Sequence, residues 1–422
     1  MTKSRCAVII LMIAAVILSA PPAWAREITL TNEEPFAYVY IIWDGPPSDW
    51  TLEIEGSLPI ERNSGFLHEL VTLERPVNEA VIKTGDTNVR EVYYFAEGEL
   101  PGWVQQWEPV LDKADLLVLP THADDEHLFF GGILPTYAGE RGLNVQVAYM
   151  TSHWGEPVRP HELLNGLWEV GVTNYPYIGP FVDLYASKES LAAAERVYGR
   201  ERVLEYQVWL IRRFQPLVVV GHDLKGEYGH GAHILNAVTL VEAIELAADP
   251  AAFPESAELY GVWDTPKTYL HLYPENALVM DWNIPLERFG GATGFEMAVA
   301  GFAKHVSQQA YFSVQQGGTW EDCRKFGLVR STVGPDVEGG DLFENIVFRQ
   351  PPEPEPEPEV EPEAEPETEP ETEPEPEIPE AAPTENPDEN PETLYRRYVL
   401  YILAIILIAL IALSLLRGRA KK

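Results

Sequence analysis

The apolar and polar positions of this 422-residue chain change rhythm several times along its length. From residue 27 to about 96, short runs rich in β-branched and aromatic residues (EITLT, FAYVYIIW, TLEIEG, FLHELVTL, EAVIKT, VREVYYFA) are separated by turn-forming pieces such as DGPPSD and ERNSG. Alternation at period two, punctuated by Gly, Pro, Asp and Asn, is the pattern of half-buried strands. Six such runs predict a small β-sandwich-like domain over residues 26–100. From residue 114 to about 315 the runs become apolar on both sides (ADLLVLP, VQVAYMTS, PLVVVGHD) and alternate with helical stretches at 159–170, 189–214 and 231–247. That alternation predicts an α/β domain over residues 101–348: a Rossmann-like, mostly parallel sheet with helices on both faces.

Both ends of the chain depart from this. Residues 1–25 have the pattern of a secretory signal peptide: Lys3 and Arg5, an apolar stretch over 7–20, and the small-x-small site Ala23-Trp24-Ala25. Cys6 lies before the apolar stretch and departs with the signal, which leaves Cys323 alone. A single thiol makes no internal disulfide, so core packing has to hold the exported part together. Residues 398–416 (YVLYILAIILIALIALSLL) are an almost unbroken apolar run close to the roughly 20 residues a membrane-spanning helix needs. We expect a transmembrane helix over 395–416 and a basic tail over 417–422. Arg417, Arg419, Lys421 and Lys422 outweigh Arg396 and Arg397, which puts that tail in the cytoplasm and the body outside.

Between body and anchor, residues 349–394 alternate proline with glutamate. Proline removes backbone donors and like charges repel, so this is an extended spacer rather than a folded unit. Its stretch 351–393 carries 18 acidic residues and no basic one, half of the formal net charge of −36. An acidic balance of this size argues against nucleic acid as a partner.

The chemistry concentrates where two of the apolar runs end. The first ends in His122-Ala123-Asp124-Asp125-Glu126-His127. Another ends in GHDLKGEYGHGAH, which carries His222, Asp223, Glu227, Tyr228, His230 and His233. Ligands of such sheets gather beyond the carboxyl ends of the strands. Two imidazoles, a carboxylate and an open position suit a catalytic metal, zinc above all. Each loop alone is an ordinary polar turn; both at one end of the same sheet make a metal site.

These motifs resemble the PIG-L or LmbE-like zinc-dependent N-acetylglucosaminyl de-N-acetylases. LLVLPTHADDE matches the family's strand followed by His-Pro-Asp-Asp-Glu, with Ala123 in the proline place. EYGHGAH matches Tyr-Gly-His-x-x-His, RPHE matches an Arg-x-x-Glu helix start at Arg159 and Glu162, and KHVSQ, which holds His305, is similar to His-x-Ser-Gln. The resemblance covers roughly 200 residues and leaves out the β-domain, the spacer and the anchor. It implies His122, Asp125 and His233 as zinc ligands, with another divalent transition metal possible. It also implies Asp124 as general base, His230 as a group that stabilises the oxyanion or protonates the leaving amine, and Tyr228 as a hydrogen-bond donor. Arg159 and Asp183 become substrate-binding residues, and Glu162 a residue that steadies the site. Many members carry an aspartate before the last histidine; here Ala232 stands there, with Asp223 or Glu227 as the nearest replacement charge. The resulting expectation is an exported, membrane-anchored zinc amidohydrolase acting on the N-acetyl group of amino sugars or glycans. The alternatives are an inactive surface glycan-binding or adhesion protein and a zinc hydrolase of another amide or ester.

Overall fold

The computed structural model describes residues 27–62, 64–318 and 321–349. The signal sequence, spacer, transmembrane and tail expectations therefore lie outside the described residues. Among the described residues no helix is long and apolar enough to cross a membrane.

The first part of the chain forms one five-stranded antiparallel sheet, not the sandwich its strand count predicts. Its strands are β1 (Glu27–Trp43), β2 (Trp50–Glu53), β3 (Ile60–Arg62), β4 (His68–Lys83) and β5 (Val89–Phe95), in the order β3-β2-β4-β1-β5. Two pairs of expected short strands are each one long strand. EITLT and FAYVYIIW join through Asn32-Glu33-Glu34-Pro35, and FLHELVTL joins EAVIKT through Glu74-Arg75-Pro76. The β1–β4 ladder absorbs these polar pieces as register shifts between Thr31 and Tyr38. A bulge keeps a strand continuous where proline interrupts the ladder. Asn78 holds this one, donating from Nδ2 to the carbonyls of Asn32 and Glu33 at 3.0 and 2.9 Å.

One face of this sheet is apolar (Val39, Ile41, Trp43, Leu52, Val71, Ile82) and shares a continuous core with the rest of the body. Phe66 stacks on Tyr175 with ring centroids 4.5 Å apart, and the Leu67 amide donates to the Tyr175 hydroxyl at 3.1 Å. The expected boundary near residue 100 is where the chain passes from one sheet to the next; the described residues form one compact unit.

The second sheet has seven strands: β6 (Leu116–Val118), β7 (Val145–Ser152), β8 (Tyr177–Val182), β9 (Val218–Gly221), β10 (Lys267–His271), β11 (Ala277–Val279) and β12 (Lys325–Ser331). Their order is β11-β12-β10-β9-β6-β7-β8; the run from β8 to β10 is parallel, and β12 and β11 close one edge antiparallel. The chain starts in the middle at β6, builds outward to β8, then returns to β9 on the other side of β6. The reversal leaves a crevice beyond the carboxyl ends of β6 and β9.

Among the described residues seven α-helices complete the body: α1 (Asp125–Leu128), α2 (Arg159–Glu169), α3 (Leu191–Tyr198), α4 (Arg200–Phe214), α5 (Gly231–Ala247), α6 (Pro254–Tyr260) and α7 (Gly294–Phe302). The helix expected over 189–214 is two, broken at Gly199, whose φ of 79° a helix does not accept. Alternate residues of the central strands feed two cores. Leu116, Val118, Val218 and Val220 pack with Leu163, Leu167 and Phe302 of α2 and α7, whereas Leu117, Leu119 and Val219 pack with Val208, Ile211, Leu240 and Ile244 of α4 and α5. The sheet is therefore covered on both faces, which is why its strands read as continuous apolar runs.

Candidate active site

The loop after β6 turns tightly into α1. Asp124, the residue before the helix, has φ 119°, a left-handed conformation in which Asp is one of the few tolerated side chains. This turn sends the neighbouring carboxylates in different directions. Asp125 Oδ2 accepts from the backbone amides of Thr121 and His122 at 3.1 and 2.7 Å. It lies 3.3 Å from His122 Nδ1 and 3.3 Å from His233 Nε2, and these two nitrogens are 3.1 Å apart. Asp124 Oδ2 lies 3.6 Å from the Arg159 guanidinium, which also donates to the Ala123 carbonyl.

The loop itself is pinned from both sides of the sheet. Thr151 Oγ1 donates to the Thr121 carbonyl at 2.7 Å, and Asn236 Nδ2 donates to Thr121 Oγ1 at 2.9 Å. On the β9 side, the chain runs through Glu227 before α5 begins after His230. His233 therefore sits one turn into a helix whose inner side is buried.

The triangle of His122 Nδ1, Asp125 Oδ2 and His233 Nε2 fits a divalent transition metal. Its edges of 3.1 to 3.3 Å are those of three tetrahedral ligands with bonds of about 2.0–2.1 Å. The electrostatics agree. Burial opposes charge on His122, yet Asp125 and Asp183 outweigh it and hold that imidazole up at about 10. Burial likewise works against the Asp125 carboxylate, but His233, His122 and His222 hold it well below its usual range. Surroundings that favour positive charge at His122 in this way are ones that a cation stabilises. His122, His230 and His233 form an overlapping group of donors within reach of one ion.

Behind the triangle stands a carboxylate that the sequence reading left open. Glu227, fully buried, accepts from the Nδ1 atoms of His222, His233 and His271 at 2.8, 2.9 and 2.7 Å. Its bond fixes the proton of His233 on Nδ1 and leaves Nε2 as the metal-facing lone pair. Asp183 stands behind the other imidazole, 3.5 Å from His122 Nε2. The charge considered as a replacement at Ala232 thus serves His222, His233 and His271 rather than His230.

His230 itself is pushed down to about 2 by burial and by the neighbouring imidazoles of His233 and His122. In these surroundings it is neutral. Its Nδ1 accepts from the Ala232 amide at 3.2 Å, which puts the ring proton on Nε2. Tyr228, at φ 47°, packs edge-on against the rings of His230 and His233, and burial together with nearby carboxylates drives its phenol far upward, keeping it protonated. Burial and then Asp125 raise Asp124 well above the ordinary carboxylate range.

Of the two residues expected to meet substrate, Arg159 is buried and committed to Asp124 and Ala123. Asp183 stands at the rim against His122 and His153, its side chain 29% exposed. Glu162 ties α2 to the KHVSQ segment, accepting from the Ser307 amide and hydroxyl at 2.8 and 2.6 Å. His305 of that segment is fully buried away from the triangle, beside Glu126 and His127. His153 and His271 were missed. The readable sign for His271 was a third parallel strand, KTYLH, that also ends in histidine.

No family model matches the chain. It is 28% identical over 205 residues to 1D-myo-inositol 2-acetamido-2-deoxy-alpha-D-glucopyranoside deacetylase 1 of Catenulispora acidiphila, covering 43% of this chain and 62% of that one. It is 30% identical over 186 residues to the deacetylase of the same name from Streptomyces avermitilis, covering 38% and 61%. The chain thus spans about three fifths of the length of these relatives. Among solved structures, N,N'-diacetylchitobiose deacetylase from Pyrococcus horikoshii aligns at 18% identity and TM-score 0.35, covering 46% of this chain and 71% of that one, too loose a superposition to add to the sequence match. Over about two fifths of its length the chain is a relative of the PIG-L/LmbE-like deacetylases.

Proposed function

We propose that the chain is an amidohydrolase that removes the acetyl group from N-acetylglucosamine-type sugars or glycoconjugates, using a divalent transition metal, zinc first among candidates. The observation that carries this reading is the triangle of His122, Asp125 and His233 with the second carboxylate, Asp124, one residue away on the same turn. When bound there, such a metal supplies Lewis acidity for attack on an amide.

The residues divide the remaining work. Hydrolysis joins the oxygen of water to the acetyl carbon, breaks the carbon–nitrogen bond, and delivers a proton to the amine. Asp124 takes the proton from the attacking water and passes it to the leaving nitrogen; burial makes it a stronger base than an exposed aspartate. Tyr228 Oη and His230 Nε2 are hydrogen-bond donors beside the triangle for the carbonyl oxygen as it gains negative charge. His230 does so as a neutral ring. Arg159 holds Asp124 in place, and Asp183 at the rim is available to sugar hydroxyls.

Acetate release from a panel of N-acetylated sugars and glycans tests the reading. Asp124→Asn should keep its metal and lose on the order of a hundredfold to ten-thousandfold in rate. A folded, metal-loaded wild-type protein that releases acetate from none of the panel would remove the proposal.

In the same reading the protein is exported and anchored by residues 395–416 with its body outside the cell. The support is the signal pattern of residues 1–25 and the apolar run 398–416 with its basic end. Protease added to intact cells should release the folded body by cutting in the spacer. A body protected until the membrane is broken would reverse the orientation.

A further inference from the structure

Asp125 turns its carboxylate to the triangle; the next residue, Glu126, turns away from it. Glu126, His127 and His305 lie together on the other side of α1, each fully buried, with one donor atom apiece within 4.8 Å of the others. Glu126 Oε1 is 3.4 Å from His127 Nε2 and 3.4 Å from His305 Nε2. Its other oxygen is used, accepting from the Asp124 amide at 2.9 Å. Among the described residues, Glu126 Oε1 and all four ring nitrogens of His127 and His305 have no hydrogen-bond partner, and neither has the hydroxyl of Tyr149, a buried phenol close to Glu126. Buried polar atoms without partners are rare and costly. Here six gather at one place.

The surroundings are shaped to admit these rings. Gly166 lies within α2 and Gly301 within α7, where glycine is disfavoured relative to alanine. A Cβ on Gly166 would come within 2.7 Å of His127 Nε2 and 2.8 Å of His305 Nε2, and one on Gly301 within 2.5 Å of His127 Cε1. Both helices omit a side chain where the two imidazoles lie.

We propose that Glu126, His127 and His305 form a second metal site, closed and structural, for a divalent transition ion of the zinc class. Two imidazoles and one carboxylate select such an ion over magnesium or calcium. The oxygen-to-nitrogen edges of 3.4 Å are close to the roughly 3.3 Å edge of a tetrahedron with bonds of about 2.0–2.1 Å. The Tyr149 hydroxyl, also close to Glu126, is a further oxygen donor. Its effect is to tie α1 to the segment after α7.

Metal analysis of the full chain tests this independently of the active-site reading. Wild type should hold two equivalents; His127→Gln and His305→Gln should each hold one, and His233→Ala should hold the other. Chelation at a strength that spares the fold of His305→Gln should lower the melting temperature of wild type. If the active-site reading fails and this one holds, wild type has a single equivalent that survives His233→Ala and disappears in His305→Gln. Should the histidine variants fail to fold, anomalous diffraction from wild-type crystals grown with excess zinc decides: a peak bonded to Glu126 Oε1 and both Nε2 atoms supports the site. A water molecule there, or a metal content unchanged by either glutamine variant, overturns it.

Discussion

Two buried clusters of histidine and carboxylate lie on opposite sides of α1, and they are satisfied in opposite ways. Around Glu227, three imidazoles donate to one carboxylate at 2.7 to 2.9 Å, and a backbone amide adds a fourth bond at 3.2 Å. Around Glu126, the nearest imidazole nitrogens stand off at 3.4 Å and make no hydrogen bond. Both carboxylates are held below their ordinary range, burial being outweighed by His222 at Glu227 and by His127 and His305 at Glu126. The difference teaches what each arrangement is for. A saturated carboxylate has no bond left to offer and serves to aim its histidines, whereas one that faces imidazoles without bonding them leaves room for something between.

The contrast breaks most visibly at His233, which joins the Glu227 network to the triangle. His233→Ala should lose the active-site metal and reduce acetate release to near background; a variant that keeps both would show that the triangle is not the ligand set. Next comes Glu227→Gln. It leaves every ligand in place but weakens the aim of His233, so metal affinity should fall by about 10- to 100-fold, read from a competition titration. An unchanged affinity would reduce Glu227 to a core residue. The smallest effect is expected at the other cluster. In an ordinary helix Gly166→Ala is stabilising, but here the added methyl meets both imidazoles, and overpacking of this kind costs about 1–3 kcal/mol. The midpoint of urea unfolding should drop. A rise would mean that the rings move aside freely and that the cluster is not rigidly built.

Much of this was legible beforehand where it depends on local pattern. The helix expected over 231–247 is α5 residue for residue, its start set by the loop at His230. The grouping of the β6 and β9 loops followed from the rule that places ligands beyond the ends of parallel strands. The sandwich was misjudged because Asn32 to Pro35 and Glu74 to Pro76 are turn signals by composition, whereas in the sheet they are a bulge that a paired strand carries along. The third histidine on Glu227 was marked only by its place at the end of another parallel strand: His271 is 44 residues further along the chain, and nothing local ties it to Glu227.

The sequence alone thus determined the β-rich first part, the alternation of strands and helices in the second, the two loops that carry the metal-binding residue types, and the acidic, proline-rich and apolar segments beyond them, since all of these follow from composition and periodicity over short stretches. Only the tertiary structure decided how adjacent acids divide. Asp124, Asp125 and Glu126 are equivalent in sequence, but one left-handed residue at the start of a short helix points them at Arg159, at the triangle and at His305. The resemblance separates Asp124 from Asp125 by their places in a motif, but what each carboxylate touches depends on groups brought in from as far along the chain as His305, and no local pattern carries that information.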